Sequence, residues 1–170
     1  MKNSIVLIAI LITTLSCVTE EKIEDVVVIG GGTSGAPAAI SAGRMGMKVL
    51  VVEYLEGLGG LGTLGLIGKP YHGRKVGFAA EVPFPKDNIE PKMEWYREEL
   101  EKVGADIWLG AIGCGAYVEK NTVKGAIVAT SLGRGVVEAS IVIDATGNAD
   151  VAIAAGAAYR YGDVEKDRMA

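Results

Sequence analysis

Cysteine occurs twice and histidine once in the 170 residues, and aromatic side chains make up only 6 % of them. With so few thiols and imidazoles, no Cys, His and carboxylate cluster reaches metal-ligand spacing. Cys114 has no partner at Cys-x-x-Cys spacing, which argues against a dithiol redox role and makes it a small buried apolar residue. Trp95 and Trp108 fit packing better than ligand stacking. Basic residues are outnumbered, 17 Lys and Arg against 21 Asp and Glu. The net charge of −4 provides no footprint for nucleic acid or another polyanion. The apolar run from Ile5 to Ile12 is too short to span a bilayer, which takes about 20 residues.

That run nevertheless has a meaning. "MKNSIVLIAILITTLSC" places one cation, Lys2, before the apolar stretch and small or hydroxylated residues before Cys17, the layout of an export signal over residues 1–17. It resembles a bacterial lipoprotein signal, in which the cysteine is acylated after cleavage, although Thr14 stands where an aliphatic residue is usual. Three readings stay open: membrane attachment through a lipidated Cys17, ordinary secretory cleavage near Ser16 or Cys17, and an uncleaved anchor. Each exports the chain, to the periplasm or to a membrane-anchored position facing it. Residues 18–24 then form a short polar tether.

Glycine is the residue in excess, 24 of 170, about twice its usual share of roughly 7 %. Such glycines collect where backbone turns tightly or approaches a ligand. The first cluster interrupts "DVVVIGGGTSGAPAAISAGRMGMKVLVVE", Asp25 to Glu53. Val26 to Ile29 is a β-branched run suited to a parallel strand buried on both faces. A helix is predicted from Thr33 or Ser34 to Arg44, with Pro37 tolerated in its first turn. Lys48 to Val52 is a second apolar strand, closed by Glu53. Within this right-handed βαβ unit, Gly30-x-Gly32-x-x-Gly35 falls where each glycine has a task. Gly30 allows the tight turn, Gly32 lets backbone approach a pyrophosphate, and Gly35 lets the helix pack on the sheet. The phosphates then meet a helix N-terminus, with the Ser34 hydroxyl as an additional donor. Glu53 ends the second strand where a carboxylate accepts hydrogen bonds from a ribose diol. The stretch therefore predicts an adenine dinucleotide.

Downstream, the pattern departs from a nicotinamide-type domain, which continues with alternating strands and helices. Tyr54 to Glu90 is a Gly- and Pro-rich segment without sustained period, and a loop of that length is usually functional. "PKMEWYREELEKVG" predicts a helix with Pro91 at its start, Met93, Tyr96, Leu100 and Val103 on one face, and Gly104 as cap. Short strands follow, with connections marked by Asn121 and by Gly133-Arg134-Gly135.

Three motifs, "GGGTSG" with Glu53, "GLGGLGTLG" at Gly57 to Gly65, and "VIDATGNADVAIAAGA" at Val142 to Ala157, together resemble the FAD-dependent oxidoreductases whose dinucleotide domain is of the glutathione-reductase type. The resemblance implies an α/β, Rossmann-like FAD-binding domain over residues 25–162, with a parallel sheet and a small β-meander. It also implies site residues. Gly30, Gly32, Ser34 and Gly35 would hold the FAD pyrophosphate and Glu53 the adenosine ribose. Gly59, Gly60 and Thr63 would pass the pyrophosphate and ribityl chain, Ile112 would lie against the adenine, and Thr146 and Gly147 would approach from the other side. For Thr146-Gly147 a strand-to-helix turn capped by Asn148 and Asp150 is the alternative.

No catalytic residue is assigned. His72, in "KPYHGRK", is a weak candidate for moving a proton, with a solvated loop residue as the alternative. The resembling enzymes are longer, so the chain is expected to be incomplete relative to the family, with residues 163–170 beginning a truncated continuation. The expected function is the FAD-binding portion of an exported oxidoreductase that passes hydride from an organic substrate to FAD. Alternatives are a dinucleotide-binding module without turnover and, less favoured, an NAD-linked dehydrogenase.

Overall fold

The computed structural model describes residues 24–68, 73–84, 88–160 and 162. The β-branched runs form strands β1 (Glu24–Ile29) and β2 (Val49–Glu53), which pair in parallel with Val26 opposite Val49 and Ile29 opposite Val52. Because side chains alternate along a strand, β1 serves two cores at once. Val26 and Val28 face one, Val27 and Ile29 the other, all at most 1 % exposed. Both faces are therefore covered, as the unbroken apolar run requires.

The covering layers differ. On one face lie helices α1 (Gly35–Arg44) and α3 (Glu90–Lys102), contributing Ala36, Ala39, Ile40, Tyr96 and Leu100 to the core. Helix α1 begins at Gly35, one or two residues later than the sequence predicts, with Ser34 as its N-cap. Pro37 sits in its first turn. Between them, a short helix α2 (Phe78–Glu81) lies within the segment that had no sequence period. Phe78 stacks edge-on against Trp95, which packs in turn on Tyr96.

On the other face is an antiparallel meander of β4 (Ile112–Glu119), β5 (Thr122–Thr130) and β6 (Gly133–Asp144), with the short helix α4 (Asp150–Ala154) beside it. Strand β3 (Asp106–Leu109) adds to the edge of β2, giving the order β3-β2-β1-β6-β5-β4. Strand β6 belongs to both systems. Gly133 to Glu138 pairs antiparallel with β5, and Ala139 to Asp144 runs parallel to β1. One strand thus carries the chain out of the meander and into the dinucleotide sheet.

Four details differ from the sequence reading. Glu24, assigned to the tether, is a buried first residue of β1. The β4–β5 turn uses Lys120 and Asn121, both at positive φ, but Gly133, Arg134 and Gly135 lie within β6, leaving Ser131 and Leu132 as the connection. Cys114 is exposed. It sits at a bulge, since Gly113 pairs with Val128 and Gly115 with Ile127, and the extra residue of a bulge leaves the ladder. Trp108 is 43 % exposed on β3, so only Trp95 is a packing residue.

Candidate functional site

Parallel strands all present their C-terminal ends on one side, and that is where the chain leaves room. A cavity of about 570 Å³ opens above β1 and β2. Of the sequence-predicted residues, Gly30, Gly32, Ser34, Glu53, Gly60, Ile112, Thr146 and Gly147 line it. Gly35, Gly59 and Thr63 do not line this cavity; they lie behind its wall. His72 falls outside the described residues.

The floor is made by two glycine segments in backbone contact. Gly30 turns out of β1 at φ +97°, and a Cβ on it would meet the Ala145 carbonyl oxygen at 2.4 Å. A Cβ on Gly35 would lie 1.7 Å from the Gly30 carbonyl oxygen, so the start of α1 rests directly on the turn that precedes it. The second segment is docked on the first by the Gly59 N–H, which donates to the Gly31 carbonyl at 2.8 Å. Thr63 organises this loop from within. Fully buried, it donates to the Leu58 carbonyl at 2.6 Å. Gly32 is different: a Cβ there would find nothing nearer than Gly60 Cα at 3.8 Å. The space over Gly32 is open, in front of the N-terminus of α1; there the Ala36 N–H is taken by the Gly32 carbonyl at 3.1 Å and Pro37 has no N–H, so the positive end of the helix dipole is what faces that space. Ser34, exposed at the N-cap, makes no capping hydrogen bond, leaving its hydroxyl free. Such a cradle suits an anion.

Glu53 stands at the end of β2, 6 % exposed. Its Oε2 accepts from the Gly31 N–H at 2.6 Å and its Oε1 from the Leu55 N–H at 2.8 Å. Each carboxylate oxygen has a second acceptor site, so the group both ties the glycine turn to β2 and keeps capacity for hydroxyl donors in the cavity. Among the described residues that line the cavity there is no Lys, Arg or His, and there are two acids, Glu53 and Asp150. Within that set, backbone N–H groups and hydroxyls such as that of Ser34 are the donors available to an anion.

The far wall is the turn from β6 to α4. Thr146 serves the turn with its side chain: its hydroxyl donates to Asp144 Oδ1 at 2.7 Å and accepts from the Asp150 N–H at 3.1 Å. Thr146, rather than Asn148 or Asp150, is therefore the residue that caps this turn. Asp144, which the sequence reading did not single out, is its anchor. Its carboxylate also accepts from the Thr146 N–H at 3.0 Å and the Ala152 N–H at 2.7 Å. Burial alone would raise its pKa, but the hydrogen bonds from Ala152, Thr146 and Val151 hold it below the usual value. The Asp-x-Thr spacing at a strand end was the available signal.

A pH dependence follows from that direction. A carboxyl whose folded pKa lies below its unfolded pKa of about 3.9 contributes stability above that value and loses it as pH falls through the lower folded pKa. Asp144→Asn is expected to lower the melting temperature at neutral pH, with the difference from wild type shrinking below about pH 4, as followed by circular dichroism.

A second buried group lies behind the glycine loop. Lys92, on the first turn of α3, is 4 % exposed. Its ammonium is 4.5 Å from the centroid of Phe84, as is that of Lys75, and burial pushes its pKa below the usual lysine value. The ion pairs among the described residues do not include it.

The comparisons agree with this architecture. The model of the family described as FAD dependent oxidoreductase matches residues 25–82 and 88–170. No curated protein matches the chain at a significant level. Among solved structures, THI4 of Thermovibrio ammonificans is similar with a TM-score of 0.61 at 19 % identity, over 77 % of this chain and 60 % of that one. A geranylgeranyl bacteriochlorophyll reductase-like protein from Thermoplasma acidophilum gives 0.59 at 21 % identity, over 80 % of this chain and 42 % of that one. The L-proline dehydrogenase from P. horikoshii gives 0.54 at 22 % identity, over 74 % and 22 %. At these identities the likeness establishes the fold, and this chain spans less than two thirds of each of those proteins. The antiparallel meander after β3, where a nicotinamide-type domain would continue with alternating strand and helix, points the same way. With the family model covering most of its length, the chain belongs to the FAD dependent oxidoreductase family, and its cofactor is FAD.

Proposed function

We propose that this chain is the FAD-binding portion of an exported oxidoreductase that takes hydride from an organic substrate. The observation that carries the reading is the single cavity in which the open space over Gly32, the N-terminus of α1, the Glu53 carboxylate and the Thr146-Gly147 turn meet. Each part fits a portion of the cofactor. The α1 N-terminus and Ser34 would hold the diphosphate, and Glu53 would accept from the adenosine ribose while disfavouring a 2′-phosphate. Ile112, at the start of β4, would lie against the adenine. Gly60, with Leu61 and Leu64 at the rim, would flank the path toward the flavin ring, while Gly59 and Thr63 would support that loop from behind. FAD bound there supplies a two-electron acceptor for hydride. The residues described here bind, orient and exclude water.

The test is direct. The purified chain, incubated with FAD and desalted, is expected to keep visible flavin absorbance and not to retain NAD. A folded sample that keeps no flavin would overturn the reading. A dinucleotide-binding unit without turnover of its own is the second reading. It predicts flavin retention with no reduction by any reductant except non-enzymatic ones. Export rests on residues 1–17, outside the described residues. Expressed in a bacterium, the chain is expected to incorporate labelled fatty acid and to lose it on Cys17→Ser; export without label would assign ordinary secretion.

A further inference from the structure

Among its described lining residues the cavity that suits a diphosphate has no cation, while the buried cation Lys92 stands just behind them. The point that a Cβ on Gly62 would occupy lies 2.5 Å from Lys92 Nζ and 3.2 Å from Thr33 Cγ2. The ammonium and the threonine of the first glycine turn thus face each other across a residue with no side chain. Thr33 lines the cavity; Gly62 and Lys92 do not. Lys92, at 4 % exposure, rests its ammonium on the Phe84 ring and has no carboxylate partner in the ion pairs of the described residues. Such a charge lowers the stability of the fold that contains it.

We propose that Lys92 is a positioning residue whose buried positive charge, acting through the thin glycine wall, completes the diphosphate site electrostatically. The inference rests on the FAD reading above. The charge is a liability in the protein without ligand and an asset once two phosphate charges lie on the other side of Gly62. Gly62, which lies between them, is buried, so the attraction is screened less than between two exposed groups. Glycine at position 62 is part of the device, because a methyl group there would push the ammonium away. That displacement is inexpensive for the fold, since the atom met first is the end of a flexible side chain.

The test compares four versions of the 170-residue chain, wild type, Lys92→Met, Lys92→Arg and Gly62→Ala, by melting temperature without FAD and by FAD dissociation constant from flavin fluorescence. Lys92→Met is expected to melt at or above the wild-type temperature, because a largely desolvated charge is replaced by an apolar group of similar length. Its affinity for FAD is expected to fall about ten-fold. Lys92→Arg is expected to stay within about three-fold of wild type, and Gly62→Ala to lie between. Wild-type binding is also expected to weaken more steeply with salt than Lys92→Met binding. The opposite signs of the two readouts separate this role from a merely structural one, which lowers melting temperature and affinity together. Undiminished FAD affinity in a folded Lys92→Met protein overturns the inference and leaves the FAD reading intact. If Lys92→Met does not fold, unchanged affinity in Gly62→Ala overturns it. Failure of the wild type to bind FAD removes the FAD reading and the inference with it.

Discussion

Gly35→Ala is expected to remove about 3–5 kcal/mol of stability, enough to unfold most of the protein at 37 °C if its total lies near the low end of the usual range of about 5–15 kcal/mol. The reason is backbone contact rather than conformational preference. The added Cβ would fall 1.7 Å from the Gly30 carbonyl oxygen and 3.0 Å from Ala145 Cβ. Neither atom is at the end of a flexible side chain. Relief requires lifting α1 from the sheet, and α1 carries Ala36, Ala39 and Ile40 into the core. Gly32→Ala is the control within the same motif. The space over Gly32 is open, so denaturation by urea should show a change below about 1 kcal/mol, whereas FAD binding should weaken by an order of magnitude because the methyl group occupies the cradle. A stable Gly35→Ala protein, or a Gly32→Ala protein that binds FAD like wild type, would show that the two glycines do not divide the work in this way.

The second large effect is expected at Glu53. In Glu53→Gln one carboxylate oxygen becomes an NH₂ group, and both oxygens presently accept backbone N–H bonds, from Gly31 and Leu55. A donor then faces a donor. With the side chain 6 % exposed, the unsatisfied N–H costs about 1–3 kcal/mol. FAD affinity should fall further than stability, by more than ten-fold, because the charge-assisted acceptance from the ribose diol proposed for Glu53 would be lost together with the position of the Gly31 turn. Chemical denaturation and flavin fluorescence on the same preparation separate the two losses.

How far these effects were readable from sequence differs by residue. Gly30, Gly32, Gly35 and Glu53 were legible because their spacing is set by one strand, one turn and one helix that are contiguous in the chain. The helix over Glu90–Lys102 was legible from its apolar face, but Lys92 on its first turn was not. Nothing in "PKME" says that this lysine is covered by the glycine loop and Phe84. Thr63 was legible as part of a motif, yet its task is to hold the Leu58 carbonyl from inside the loop rather than to line the cavity. Cys114 was misjudged because burial on an edge strand depends on register, and a bulge at Gly113 and Gly115 turns that residue outward. Asp144 could have been read from its Asp-x-Thr spacing, but its bond to the Ala152 N–H joins residues eight apart through the turn into α4.

By itself, the sequence determined the local architecture: which runs are strands, where the dinucleotide turn lies, which residue closes β2, and that a meander replaces further strand–helix alternation. These follow from side-chain periodicity and backbone allowance, which act over a few residues. Only the tertiary structure decided that β6 joins the meander to the parallel sheet, that the glycine loop docks on Gly31, and that Lys92 stands behind Gly62. Those outcomes are pairings between segments distant in the chain, chosen by the packing of two whole faces of β1 rather than by any short stretch of residues.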